Sequence, residues 1–218
     1  MALGARFNEL FERWAEEYDS AVSGGHPEYR EVFEGYAEIL KTVVNELALP
    51  PGSTILEFGP GTGNLSRLLV AAGYRVIGVE PSAAMRAQAA AKVPELELVE
   101  GHFLSVPDSV PTVDGIVSTW AFHHLTDEEK DRALADMTRL LRPGGKIVFA
   151  DTVFVDEQAR EAFQKEAEDR GFLELAEDLR REFYPVIGRL EESFRKAGFL
   201  VQFRRMNRYV WLMSATIA

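Results

Sequence analysis

The 218-residue sequence contains no cysteine. That absence removes thiol nucleophiles, disulfides and cysteine-based metal sites together, and it fits a protein of a reducing compartment. No stretch approaches the ~18 apolar residues of a membrane span, and Met1 to Leu10 lacks the apolar core of a secretory signal. The expected location is cytoplasmic, with no membrane partner. Positive charge is also scarce: 24 Lys and Arg stand against 35 Asp and Glu, for a net charge of −11 and a pI near 4.9. A field of that sign repels phosphate backbones, so nucleic acid is disfavoured as a partner. The local exception, Arg204, Arg205 and Arg208, reads as a charged strand edge in preference to an anion site.

What is present is a chain of globular composition, 46% hydrophobic and 27% charged, which predicts one folded domain without a disordered tail. Apolar residues at helical spacing predict a helix from Phe7 to about Val22 and a second from about Tyr29 to Leu47. Pro50-Pro51-Gly52 stops the second, and Thr54 to Phe58 reads as a short buried strand running into glycines. Helices near Asn64 to Ala72 and Ser82 to Ala91 then alternate with strands at Arg75 to Glu80, Leu96 to Glu100 and Gly115 to Thr119. Next come a helix from Asp127, its expected N-cap, to Leu141 and the strand Lys146 to Ala150. This βαβ rhythm predicts a parallel sheet. Residues 156–183, charge-rich and helical, form an insertion with Phe163, Phe172, Leu175 and Leu179 available to face the body. A last helix, Leu190 to Lys196, ends at Gly198, and two strands close the chain around Leu200 to Phe203 and Tyr209 to Met213. The expected divisions are a helical lid over 1–48, a ligand-binding core over 53–151, the insertion over 154–190 and closing strands over 198–215.

The glycine turn between the first strand and its helix lets backbone approach a ligand closely, with free N–H groups at the helix start. The dinucleotide fingerprint needs G-x-G-x-x-G, whereas these glycines fall at Gly59, Gly61 and Gly63 and the sixth position is Asn64, which tells against a pyrophosphate loop. Glu80 ends the second strand about 20 residues beyond Gly59, where a carboxylate can accept from both hydroxyls of a ribose. The segment Glu57-Phe-Gly-Pro-Gly-Thr-Gly63, in the order acid-x-G-x-G-x-G, resembles the first motif of class I methyltransferases, which bind S-adenosyl-L-methionine.

With Ala121-Phe-His-His-Leu-Thr-Asp-Glu-Glu129 and Phe149-Ala-Asp-Thr-Val-Phe154, that motif makes the chain similar to the small YrrT-type methyltransferases of Bacillus-like bacteria. The resemblance implies a Rossmann-like, three-layer αβα fold, mostly parallel and seven-stranded, with a reversed last strand. It implies cofactor contacts at Gly59 and Glu80 and at the residue after the third strand. That residue is usually an aspartate accepting from the adenine amino group; it is His102 in this chain, and a neutral imidazole offers one acceptor nitrogen while the protonated ring offers none. Phe103 beside it is placed to stack on adenine.

The mouth of an open parallel sheet lies beyond the carboxyl ends of its strands. Ser118 to His124 bring hydroxyls, aromatics and two imidazoles there, with Thr119 on the cofactor side. His123 or His124 is a candidate base for the methyl acceptor. Adjacent histidines without a third partner at recognisable spacing make no metal site, so no metal is expected. Asp151 ends the fifth strand and is open to a substrate cation or to loop amides. Trp14 and Tyr18 resemble the Trp-Ala-x-x-Tyr-Asp lid of small-molecule methyltransferases, where an aromatic ring covers a sulfonium. Tyr184 and Pro185 are further lid candidates. The expected activity is methyl transfer to a small molecule. A non-catalytic module binding the same cofactor and a nicotinamide-dependent oxidoreductase are the alternatives, the latter opposed by the glycine spacing and the lack of a Tyr-x-x-x-Lys pair.

Overall fold

A computed structural model describes residues 18–218 of the chain. Its strands are β1 (Thr54–Phe58), β2 (Arg75–Val79), β3 (Glu97–Val99), β4 (Val113–Thr119), β5 (Leu141–Thr152), β6 (Phe199–Arg205) and β7 (Val210–Ile217). They form one seven-stranded sheet in the order β3-β2-β1-β4-β5-β7-β6. Strands β1 to β5 pair in parallel, and β7 runs antiparallel to both β5 and β6, so the closing hairpin supplies the reversed strand. The strand order reverses at β1 and β4, the point where open sheets of this kind hold ligands.

The helices are α1 (Tyr36–Leu47), α2 (Asn64–Ala71), α3 (Ala83–Lys92), α4 (Asp127–Leu140), α5 (Glu157–Asp169), α6 (Leu173–Arg181) and α7 (Ile187–Lys196). Alternate residues of each central strand face opposite layers. Ile55, Val76, Val117 and Val148 pack with Ile39, Val43, Leu69 and Ala89 of α1, α2 and α3. Leu56, Ile77, Ile116 and Phe149 pack with Leu134, Met137, Leu190 and Phe194 of α4 and α7. Both faces of β1 are therefore buried, which is why Ile55 to Phe58 reads as an apolar run broken only by Glu57.

Two local expectations are corrected. The helix expected from Tyr29 begins only at Tyr36, because Gly35 sits at φ +72 and residues 26–35 form turns. Tyr29, Val32 and Phe33 are buried all the same, so their spacing reports burial and not helix. The cap of α4 is Thr126, whose hydroxyl accepts from the Glu129 N–H while the Glu129 carboxylate accepts from the Thr126 N–H; Asp127 is the first helical residue. The insertion is two helices, broken where Gly171 takes φ +72. Of the first expected helix, residues 1–17 lie outside the described residues; Tyr18 to Ser20 are helical and Ala21–Gly25 form a π-helical turn.

The C-terminal arginines are engaged within the protein: Arg204 pairs with Glu46, Arg208 with Glu31 and Glu166, and Arg205 donates to the carbonyls of Asn207 and Arg208. Among the described residues no helix is long and apolar enough to cross a membrane.

Candidate active site

Beyond the carboxyl ends of β1, β2 and β4 lies a partly open, mainly apolar cavity. Gly59 and Gly61 enter its wall from the loop after β1, at φ +65 and +56. A Cβ on Gly59 would come within 2.9 Å of the Ala121 side chain, so the residue sits tight against the loop after β4. A Cβ on Gly61 would meet nothing within 4 Å: it faces open space, and its N–H donates to Glu80 Oε2 at 3.2 Å. Gly63 lies outside the lining, at the start of α2 against Ala89.

Glu80 is nearly fully buried, and its Oε1 accepts from the Ser82 N–H at 3.0 Å. Each oxygen thus holds one backbone donor and retains acceptor capacity toward the cavity. Burial pushes the carboxyl upward from the usual range, against the pull of those two N–H groups. Glu57 lies behind the loop, outside the lining. It is fully buried and, among the described residues, accepts a side-chain hydrogen bond from the Ser66 hydroxyl alone, at 2.6 Å; desolvation lifts it to about 7.

His102 and Phe103 form the wall beyond β3. The Leu104 N–H donates to His102 Nδ1 at 3.2 Å, which leaves the hydrogen of the neutral ring on Nε2. The acceptor nitrogen expected for adenine is therefore used by the chain itself. Burial lowers the pKa of this imidazole and keeps it neutral. Phe103 stacks on Phe58 with ring centroids 4.7 Å apart and also lines the cavity. Thr119 is part of the same wall.

Tyr18, Trp120 and His124 line the same cavity. Trp14, the other aromatic of the lid motif, lies outside the described residues. Tyr18 is held in place by its neighbour Asp19, whose Oδ1 accepts from the Thr62 hydroxyl at 2.7 Å and from Asn64 Nδ2 at 3.0 Å. Lys92 Nζ completes the clasp, donating to Asp19 Oδ2, Thr62 and Asn64 at 2.7, 3.0 and 2.8 Å. The segment that carries Tyr18 is thereby fastened to the glycine loop.

The two histidines occupy a short 3₁₀ turn and have different partners. His123 is buried; its Nδ1–H donates to Asp151 Oδ1 at 2.6 Å and its backbone N–H to Oδ2 at 3.0 Å. Asp151 also accepts from the Thr152 N–H, so it serves loop amides and an imidazole within the protein. His124 Nδ1–H donates to Glu182 of the insertion at 2.8 Å. Burial alone would neutralise both rings, but the adjacent Asp151 charge outweighs it at His123 and raises that pKa. At His124 burial, reinforced by the charge on His123, prevails and lowers the pKa. Glu182 would rise on burial, yet the hydrogen bond from His124 brings it down to about 2.

Tyr184 is not at the mouth: it stacks on His123 at 4.6 Å and donates its hydroxyl to Asp178. Buried Lys130 ties the same region together, donating to the carbonyls of Leu125 and Phe183, and desolvation lowers its amine to about 8. Ligand atoms of His123, His124 and Glu182 fall within 4.8 Å of one another. The ring contact and the His124–Glu182 hydrogen bond account for that clustering.

Sequence reasoning found the lining residues Gly59, Gly61, Glu80, His102, Phe103, Thr119, His124 and Tyr18. It missed Glu182, Lys92 and Lys130, whose partners lie 58, 73 and 53 residues away. The open Gly61 and the acceptor capacity of Glu80 fit an adenosine-bearing ligand.

A family model described as "Methyltransferase domain" matches residues 55–145. An uncharacterized methyltransferase of Anoxybacillus flavithermus is 50% identical over 213 residues, 98% of this chain and 99% of that protein. Another from Bacillus cytotoxicus is 52% identical over 215 residues, again 98% and 99% of the two chains. Among solved structures, the DhpI–SAH complex superposes with a TM-score of 0.69 at 17% identity, covering 99% of this chain and 97% of that one. Magnesium protoporphyrin IX methyltransferase (ChlM) from Synechocystis PCC 6803 with bound SAH gives 0.68 at 16%, covering 88% of each chain. The fold is theirs. With half its residues shared over nearly the whole length of its relatives, the protein belongs to their family of Rossmann-like methyltransferases, and its cofactor is S-adenosylmethionine.

Proposed function

We propose that the protein methylates a small-molecule acceptor, with His124 as the base that takes the acceptor's proton. The observation that carries this reading is geometric: His124 lines the cavity with its Nδ1 on Glu182, while the neighbouring His123 is turned to Asp151; burial lowers the pKa of His124 and the Asp151 charge raises that of His123. Neighbouring titratable groups pushed apart in this way are the usual arrangement for dividing acid and base roles. The hydrogen bond between Nδ1 and Glu182 fixes the orientation of the His124 ring.

S-adenosylmethionine, when bound, supplies a methyl group on a sulfonium that an acceptor lone pair displaces in line. Gly59, Gly61, Glu80, His102, Phe103 and Thr119 form its binding wall in this reading, and Tyr18 lies across the site as the described part of a lid. The net charge of −11 disfavours nucleic-acid acceptors, and the mainly apolar cavity favours a compact one.

Transfer of labelled methyl from S-adenosylmethionine into a bacterial extract tests this directly. Label is expected in the fraction that passes a small-pore filter. His124→Gln should lower the rate by about 10²- to 10⁴-fold, the range for loss of a general base, with S-adenosylhomocysteine affinity unchanged within about twofold. Label in precipitated RNA or protein would overturn the small acceptor; an unaltered rate in His124→Gln would remove the base.

A further inference from the structure

Where β2 ends, one side chain of α3 takes hold of the main chain at Glu80. Arg86 Nη1 donates to the Glu80 carbonyl at 2.7 Å and to the Pro81 carbonyl at 2.9 Å, and Nη2 donates to Glu100 Oε2 at 3.1 Å. A planar guanidinium presents its N–H groups in a fixed fork, so gripping two successive carbonyls sets the position of the turn between them. Arg86 is anchored in its own helix: its N–H donates to the Ser82 carbonyl at 3.0 Å, and the Ser82 hydroxyl caps α3 by accepting from the Met85 N–H. The sheet fixes Glu80 as well, through its N–H on the Val99 carbonyl at 3.1 Å.

Glu80, Pro81 and Met85 belong to the cavity lining, and Arg86 does not. Its side chain is 21% exposed, against 78% for Glu100, so the ion pair with Glu100 is a surface contact of small weight and the two carbonyls are the shielded partners. The guanidinium also acts on the carboxylate through its charge. Burial raises Glu80, and the Ser82 and Gly61 N–H groups and the Arg86 cation pull it back. The other titratable groups around the cavity bring no cation to this task. Glu57, behind the glycine loop, is an acid; His102 and His124 are lowered by burial, and Tyr18 keeps its phenolic proton.

We propose that Arg86 is a positioning residue for the cofactor, which fixes the Glu80–Pro81 turn and so aims the Glu80 carboxylate at the ribose of the adenosine moiety. This rests on the reading of Glu80 as the ribose acceptor. The fork places the turn and the charge keeps the carboxylate ionised, and substitution separates the two.

Calorimetric titration of the full-length protein with S-adenosylhomocysteine between pH 5.5 and pH 8 tests this, with Glu80→Gln, Glu100→Gln, Arg86→Lys and Arg86→Met beside the native protein. Arg86→Met should bind about tenfold more weakly at pH 8, the order of one charge-assisted hydrogen bond. Its affinity should also fall away at a higher pH than that of the native protein, because Glu80 without the nearby cation takes up its proton earlier as pH drops. Arg86→Lys keeps the charge and loses the fork, so it should bind about two- to fivefold more weakly at pH 8 yet lose affinity at the native pH. Glu100→Gln should bind as the native protein does. A role confined to stability would lower the melting temperature of the Arg86 variants and leave both the affinity at pH 8 and the pH of its loss unchanged, which overturns the proposal. Native affinity in Arg86→Lys at pH 8 overturns it too, whether or not Arg86→Met folds. Equal losses in Glu100→Gln and Arg86→Met would place the effect in the surface ion pair, with the same consequence. Native binding by Glu80→Gln, or no binding by the native protein, instead defeats the reading of Glu80 as the ribose acceptor, and this inference with it.

Discussion

Glu80 and His102 face one cavity with different hydrogen-bonding capacities. The carboxylate accepts, and the imidazole has its Nδ1 occupied by the Leu104 N–H, so its acceptor nitrogen is already used. Their titrations differ too: burial raises Glu80 and lowers His102. As pH falls, Glu80 is the one whose protonation removes a ribose acceptor, while His102 has no remaining acceptor nitrogen to lose. S-adenosylhomocysteine binding should therefore weaken from pH 8 to pH 5.5, and His102→Gln should shift the affinity at every pH without flattening the curve. Calorimetric titration across that range decides it; a flat curve in the variant would make His102 the titrating group. The role of Glu80 was legible in the sequence because a strand end fixes where its side chain goes. The tautomer of His102 was not, because it depends on a turn that brings Leu104 back over the ring.

On the scale of elements, periodic apolar residues located the buried faces well and the boundaries less well. Tyr29 and Phe33 keep helical spacing yet sit in turns, since tertiary burial selects apolar residues whatever the local backbone does. The lid motif Trp-Ala-x-x-Tyr-Asp drew attention to its aromatics, but among the described residues its aspartate does the fastening. Asp19 reaches Thr62, Asn64 and Lys92, and no local pattern marks Lys92 as its partner. These groups are half-exposed, so the clasp contributes about 1 kcal/mol. Asp19→Ala is expected to speed S-adenosylhomocysteine dissociation about two- to fivefold in stopped flow and to raise hydrogen exchange in residues 18–25. Exchange raised throughout the sheet instead would mean that Asp19 supports the whole fold and not this segment.

For the molecule as a whole, the parallel part of the sheet followed from the βαβ alternation and its seven strands with a reversed last one from the family resemblance, while the balance of its buried charges required coordinates. Two opposed sets emerge. Asp151 and Glu182 would be raised by burial but are held low by their histidine partners; their contribution is present above the unfolded carboxylate range and is lost as pH falls through their lowered values. Glu57 is raised by burial to about 7, so its contribution is complete below its ordinary value of 4.5 and lost as pH rises toward 7. His123, raised by Asp151 against the effect of burial, loses its contribution as pH climbs beyond its ordinary 6.5. Increasing net negative charge acts in the same direction as these last two. Stability should therefore peak on the acid side of neutrality. The Glu57 displacement alone corresponds to about 3 kcal/mol between the ends of its titration, or roughly 5–10 °C in melting temperature for a chain of this size. The native protein should melt higher at pH 5.5 than at pH 8. Glu57→Gln, which keeps an acceptor for Ser66 and cannot ionise, should melt higher than the native protein at pH 8 and lose most of the difference between the two pH values. Parallel melting curves for the two proteins across that range would move the pH dependence to His123 and the surface charge, leaving Glu57 as a buried acceptor without a titrating role.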